Sequence, residues 1–139
     1  MLNNKIIVKR TRQKGYGLFA KKKILKNEII WTRNTDDEII INLKQYSKLP
    51  KLLQLHFYEY GWVWGTKIIL PLGKDSLINH SCDPNVLPTS RTVWRALRDI
   101  DVGDEITFDY ELTTTSKFIT NMKPMKCKCG SKNCRKFIM

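Results

Sequence analysis

The chain has 139 residues, 42% of them hydrophobic, with 25 Lys/Arg against 13 Asp/Glu and a formal charge of +12. That length fits one domain with its own core. No apolar run approaches the roughly 20 residues that span a bilayer, and the N-terminus lacks a signal-peptide apolar stretch, so a soluble, intracellular protein without membrane contact is expected.

The charge is uneven. Residues 1–26 carry nine Lys/Arg and no acid, and residues 112–139 carry seven and none. Residues 27–111 hold nine basic and all thirteen acidic side chains, a net of −4. Basic ends attract polyanions or acidic protein surfaces, and nothing here reads base edges, so any nucleic-acid contact is electrostatic and non-specific.

In chain order, KIIVK at 5–9 reads as a strand. A basic lead-in reaches Gly15-Tyr16-Gly17, where two glycines permit a positive φ and close approach of a ligand. KKKILKNEII at 21–30 reads as a turn between strands, with Asn27 at a left-handed position that Asn tolerates. IDVGDEI at 100–106 repeats the pattern with Gly103 in that place. Residues 34–42 mix acids and isoleucines without a readable period. A short helix is expected over Ser47 to Tyr58, with Pro50 in its first turn and His56 structural or exposed. Tyr58 to Trp64 is densely aromatic, for which core packing is the default. Strands follow at 67–72 and 92–97, then EITFDYEL at 105–112 with a clean alternation. The polar stretch after it reads as a linker, and the tail to Met139 would not pack a core alone.

Two stretches concentrate chemistry. LINHSCDPN at 77–85 places an amide, an imidazole, a hydroxyl and a thiol in four consecutive residues ahead of a turn. Cys127, Cys129 and Cys134 fall within eight residues, which in an intracellular protein favours metal over disulfide. Structural zinc takes four ligands, and Cys82 is the remaining cysteine, so a four-cysteine site would tie the tail to the 77–85 loop. Independent thiols, or His80 as fourth ligand, are the alternatives.

GYGLFA at 15–20, LINHSCDPN at 77–85, DEITFDYEL at 104–112 and CKCGSKNCRKFI at 127–138 occur in the order of one family. The chain resembles a SET-domain protein lysine methyltransferase with a cysteine-containing post-SET tail. Asn27 and Lys136 stand where glycine is common in that family, and the insert at about 34–64 matches no named motif. The resemblance implies a mostly β fold of several small sheets with few short helices, and a C-terminal pseudoknot that sets FDY beside NHSC. It implies a SET domain over 1–112, a linker over 113–122 and a zinc-binding tail over 123–139.

The implied reaction is methyl transfer from S-adenosylmethionine to a lysine amine of a protein substrate, a histone tail or another basic protein. Tyr110 takes the catalytic position, with Phe108 and Tyr60 in the substrate channel. Gly15, Tyr16, Gly17, Asn79, His80, Tyr110, Arg135 and Phe137 are the implied cofactor contacts, and Cys82, Cys127, Cys129 and Cys134 the zinc ligands. Asp36, Asp37 and Glu38 are the expected surface for a basic substrate. Two other classes compete: a catalytically inactive SET-like module whose basic ends hold nucleic acid or an acidic partner, and a small zinc-dependent nucleic-acid binder. The second leaves NHSC and FDY unexplained.

Overall fold

A computed structural model describes residues 1–113 and 124–138. In chain order the strands are β1 (Ile6–Arg10), β2 (Tyr16–Ala20), β3 (Ile29–Thr32), β4 (Glu38–Asn42), β5 (Trp62–Trp64), β6 (Lys67–Pro71), β7 (Asn79–His80), β8 (Val86–Pro88), β9 (Val93–Ala96), β10 (Glu105–Phe108), β11 (Met125–Lys126) and β12 (Phe137–Ile138). The helices are α1 (Leu43–Ser47) and α2 (Lys51–Tyr60), with 3-10 turns at Thr35–Asp37, Lys74–Leu77 and Tyr110–Leu112. The strands form four small sheets, ordered β1-β2-β10-β7, β3-β9-β8, β4-β6-β5 and β11-β12. Among the described residues no helix is long and apolar enough to cross a membrane.

The main core joins the first two sheets through Leu18, Ile24, Ile30, Trp31, Ile78, Val86, Trp94, Ile100, Ile106 and Phe108. The two strand–turn devices read from the sequence meet each other there. Ile24 and Ile100 exchange backbone hydrogen bonds of 3.0 and 2.8 Å, and their turns carry Asn27 at φ 70° and Gly103 at φ 92°.

The insert packs on β6 to build a second small core of Tyr46, Phe57, Ile68 and Leu70. Its helix differs from the expected one. Asn42 and Gln45 form a reciprocal capping box that starts α1 eight residues before Pro50. The helix expected over 47–58 is α2, which starts later, at Lys51, with Pro50 as its N-cap, and Ser47 belongs instead to α1. α2 continues to Tyr60, so Tyr58 and Tyr60 stand on the helix. Gly61 ends it: a Cβ there would lie 2.4 Å from the Phe57 carbonyl. The unreadable stretch at 34–42 holds the 3-10 turn Thr35–Asp37 and then β4, an edge strand whose Ile39 and Ile40 are both exposed, which hides the strand period.

β10 is clasped by the loop at 78–85. It pairs in parallel with β7, Thr107 opposite Asn79 and Phe108 opposite His80. Asn85 donates its side-chain amide to the Glu105 carbonyl at 2.7 Å and accepts the Thr107 N–H at 2.9 Å. This contact realises the expected approach of FDY to NHSC. β10 ends at Phe108, four residues before the sequence alternation does, because Asp109 caps a 3-10 turn by accepting the Glu111 N–H. Thr113 then accepts the Val63 N–H at 3.0 Å and covers the β5 edge. Apart from Thr113, the expected linker at 113–122 lies outside the described residues.

Glu28 ties β1 to the turn before β3. Its carboxylate pairs with Lys5 at 2.8 Å and accepts the Leu25 N–H at 3.0 Å. The Lys5 hydrogen bond first, then that amide, hold the Glu28 carboxyl down at about 2 from its ordinary 4.5. A depressed carboxyl stabilises the fold above its unfolded value, and the contribution disappears as pH falls through the folded value. Thermal melts between pH 4.5 and about 2 are therefore expected to show falling stability, with a shallower dependence in Glu28→Gln. Because the pair lies near the surface, added salt shrinks the difference.

Candidate active site and cysteine cluster

Tyr110 sits in the turn that follows β10. Its hydroxyl donates to the Ile78 carbonyl at 2.8 Å, and its backbone N–H donates to His80 Nδ1 at 3.1 Å. Its ring packs on Phe108 and His80 at centroid distances of 4.9 and 5.3 Å. Burial first, then the neighbouring Tyr60 and Glu105, push the Tyr110 phenol well above its ordinary pKa. The hydroxyl stays protonated: it donates one hydrogen bond and keeps lone pairs to accept others.

His80 uses both ring nitrogens inside the protein. Nδ1 accepts from Tyr110, which leaves the proton on Nε2, 3.2 Å from Cys82 Sγ. Burial lowers its pKa, only partly opposed by Asp109. The ring therefore links the Tyr110 turn to the cysteine loop.

The glycine turn and Asn79 converge beside β10. The Asn79 amide donates to the Tyr16 carbonyl at 3.0 Å and to Glu105 Oε1 at 2.8 Å. A Cβ on Gly17 would lie 2.7 Å from that Glu105 oxygen and 2.8 Å from the Asn79 nitrogen, so any side chain there would push the ends of Glu105 and Asn79 out of this arrangement. Gly15 meets the other demand with φ 75° and open space around it. The Tyr16 side chain is 58% exposed, and its carbonyl is what faces Asn79. Lys14 pairs with Glu105 at 3.1 Å and closes this group. Sequence reading did not single out Lys14 or Glu105. The only signal was an outward acid at the start of an alternating strand, and its partner is 91 residues away.

On the other side of Tyr110 lies a cavity walled by aromatic rings. Phe108, Tyr110 and Tyr60 all line it, with Trp31, Tyr58, Trp62 and Trp94. The two expected channel residues, Phe108 and Tyr60, thus line one space together with Tyr110. Phe108 is held by Trp94 at 4.5 Å, and Tyr60, 43% exposed, by His56 at 4.9 Å.

The expected acidic surface at 36–38 is corrected at one residue. The Glu38 side chain is 2% exposed; the single Arg33 Nε–H is shared between its two oxygens at 3.1 and 3.0 Å, and Nη2 donates to it at 2.8 Å. The Arg33 guanidinium also lies over the Trp62 and Trp64 rings at 5.5 and 4.8 Å. A buried carboxylate needs such pairing, and Glu38 is not available to a substrate.

The tail returns to the 77–85 loop through its cysteines. The sulfurs of Cys82, Cys127, Cys129 and Cys134 lie within 4.8 Å of one another, with 3.7 Å between Cys82 and Cys127. All four are free thiols positioned to hold a metal, and His80 stands outside the set. β11 and β12 pair around them, and the Arg135 and Lys136 amides each donate to a cysteine sulfur at 3.4 Å. Burial pushes the Cys127 thiol up to about 12. Burial also raises Cys129, but the Ser131 hydroxyl and hydrogen bonds from its neighbours outweigh it and bring that thiol to about 5.

Arg135 forks onto Asp109, with contacts of 3.0 and 2.7 Å, and reaches Glu111 at 3.5 Å. Burial alone would raise the Asp109 carboxyl, but Arg135 and the Glu111 amide hold it below the usual range. Arg135 thus fastens the tail to the Tyr110 turn. Phe137, on β12, is 52% exposed.

Comparison with known proteins follows the same motifs. The SET domain family matches residues 15–111. The histone-lysine N-methyltransferase mes-4 of Caenorhabditis elegans is 32% identical, covering 96% of this chain and 17% of the relative. The H3 lysine-36 specific histone-lysine N-methyltransferase of Candida albicans is also 32% identical, covering 97% and 17%. The chain thus spans about a sixth of the length of these relatives. The crystal structure of KRYPTONITE in complex with mCHG DNA and SAH superposes with a TM-score of 0.71 at 21% identity, over 99% of this chain and 30% of that one. That likeness concerns the fold. With the family match over most of its length and the same architecture, the chain belongs to the SET-domain family.

Proposed function

We propose that the protein transfers methyl groups from S-adenosylmethionine to the side-chain amine of lysine in a protein, with a histone or histone-like tail as the substrate class. One observation carries the reading. Tyr110 lines the aromatic cavity on one side, while its hydroxyl is anchored to Ile78, next in sequence to Asn79 and the glycine-turn group. The relatives named as histone-lysine methyltransferases support the substrate class and an intracellular setting.

A lysine amine has a pKa of about 10.4, so roughly one in a few thousand is neutral at pH 7. The aromatic walls lower that value by desolvation. The Tyr110 hydroxyl, its own proton committed to Ile78, accepts from the amine and fixes its direction. With its pKa raised, it positions and does not act as a base. S-adenosylmethionine, when bound, supplies an electrophilic methyl carbon on a sulfonium. The residues present fit it: the Gly15 to Gly17 backbone, the Asn79 amide and the His80 main chain offer polar groups beside an open turn. Phe137, with its exposed ring, is the proposed cover for the adenine, and Arg135 holds the tail that carries it.

Zinc is the proposed metal of the four cysteines. A tetrahedral site with Zn–S near 2.3 Å has sulfur–sulfur edges of about 3.8 Å, and the Cys82–Cys127 distance of 3.7 Å fits. A divalent cation lowers thiol pKa values, allowing four close thiolates. The basic ends support an additional, non-specific electrostatic contact with nucleic acid.

The central test incubates labelled S-adenosylmethionine with histones and cell lysate, followed by mass spectrometry of modified lysines. Tyr110→Phe is expected to keep S-adenosylmethionine binding by calorimetry and lose about 100-fold or more in rate. Wild-type protein that binds the donor but labels no lysine would sink the reading. Phe108 lacks a hydroxyl that could hold a space-filling water, so di- and trimethyl products are expected, and Phe108→Tyr should shift the products toward monomethyl. Cys129→Ser, or chelation, is expected to abolish activity while thermal melting of the SET core persists. Full activity with no zinc by elemental analysis refutes the proposed role of the metal.

A further inference from the structure

The aromatic cavity has a charge pattern opposite to that of the whole molecule. The chain carries a formal +12, yet the charged side chains lining this cavity, among the described residues, are both acidic: Glu59 and Asp75. No described Lys or Arg lines it, and no described Lys or Arg side chain forms an ion pair with either carboxylate. Glu38, Glu105 and Asp109 each have such a partner.

Asp75 is placed by its surroundings. It is half-buried in the 3-10 turn Lys74–Leu77 and accepts the Trp31 indole N–H at 3.0 Å. A Cβ on Gly73 would lie 2.5 Å from its Oδ1, so the preceding turn closes tightly around the carboxylate. Burial raises its pKa. Its own backbone amide, the Trp31 indole and the N-terminal ammonium, which donates to the Thr32 carbonyl, pull it back down, and Glu38 opposes them. A carboxylate set among rings attracts a cation twice, through its own charge and through the ring faces. Glu59 is exposed in the last turn of α2, next to Tyr60, where it adds a longer-range, salt-sensitive attraction.

We infer that Asp75 and Glu59 are specificity-determining residues that select a target lysine lying in a basic segment of the substrate, the Asp75 carboxylate taking a neighbouring arginine or lysine side chain against the cavity wall. The inference rests on the methyl-transfer reading and assigns to the cavity acids the role expected of residues 36–38. It also accounts for how a chain of +12 receives a basic substrate: the repulsion is reversed locally, where the substrate enters. An acidic neighbour of the target lysine meets two like charges and is rejected.

The test uses the full chain and two peptides with the same central lysine, one flanked by arginines and one by serines. Steady-state kinetics at low salt are expected to give wild type a KM about tenfold lower for the arginine peptide, the size of one charge-assisted contact. Asp75→Asn and Glu59→Gln should each narrow that KM ratio, and the double variant should close it, with the loss falling on KM rather than kcat. Glu59 is exposed, so its variant keeps the test available if Asp75→Asn folds poorly. Raising salt should narrow the wild-type ratio as well. An unchanged ratio in Glu59→Gln and the double variant overturns the inference alone. Absence of methyl transfer by wild type to any lysine overturns the reading beneath it, a separate and distinguishable result.

Discussion

Asn85 grips β10 from both sides of its own amide, and much of the site depends on that grip. Its nitrogen binds the Glu105 carbonyl, its oxygen takes the Thr107 N–H, and its backbone N–H reaches the Thr107 carbonyl at 3.2 Å. Asn85 is buried, so these bonds form where water does not compete and where an unmade bond is costly. The clasp fixes β10 between β2 and β7. That in turn sets Glu105 against Asn79, Phe108 into the cavity, and Tyr110 within reach of Ile78 and His80.

The tail is joined to this clasp at three neighbouring points. Cys82 contributes a sulfur to the thiol cluster. His80, two residues earlier, bridges that sulfur to the Tyr110 backbone. Arg135, next to Cys134, forks onto Asp109, next to Tyr110. An imidazole, a guanidinium and a thiol cluster therefore converge on one turn. A metal at the cysteines would order the tail and stiffen the turn that carries Tyr110, without approaching the reacting atoms. The depressed Asp109 carboxyl fits this arrangement, because the latch is charge-assisted.

Much of this was legible in the sequence because the informative groups are crowded. Asn79, His80 and Cys82 lie within four residues, and three cysteines lie within eight. The two departures from the family pattern also have a physical reading. Asn27 and Lys136 both sit at φ 70°, the left-handed region where glycine has no steric cost. Asn tolerates that conformation; Lys tolerates it less, and its amide gains a bond to Cys134 Sγ. What stayed hidden depends on long-range pairing or on surface. The Lys14–Glu105 pair joins segments 91 residues apart. β4 carries isoleucines on an exposed edge, so the rule that apolar residues mark the interior misleads there. The break between α1 and α2 falls at Pro50, while the Asn42 capping box starts α1 ahead of the apolar spacing that marks the leucines of α2.

The same physics explains why acids close together in sequence differ in what they can do. Glu38 lies beside Asp36 and Asp37, yet its burial requires a counter-ion, and Arg33 supplies one in fork geometry against two indole rings. That pair is complete and offers nothing further to a ligand. Asp75 is only half-buried; among the described residues the Trp31 indole, a neutral donor, hydrogen-bonds its side chain, and the N-terminal ammonium acts on it through charge alone. An indole stabilises a carboxylate without cancelling its charge. Asp75 lines a cavity that Trp31, Tyr58, Tyr60, Trp62, Trp94, Phe108 and Tyr110 also line. In a chain this basic, an acid that no described Lys or Arg pairs with, set beside aromatic faces, makes a local region where a cation is favoured. On the proposed reading, the position of that region beside Tyr110, rather than the count of acids in the sequence, connects the charge of the chain to the choice of substrate.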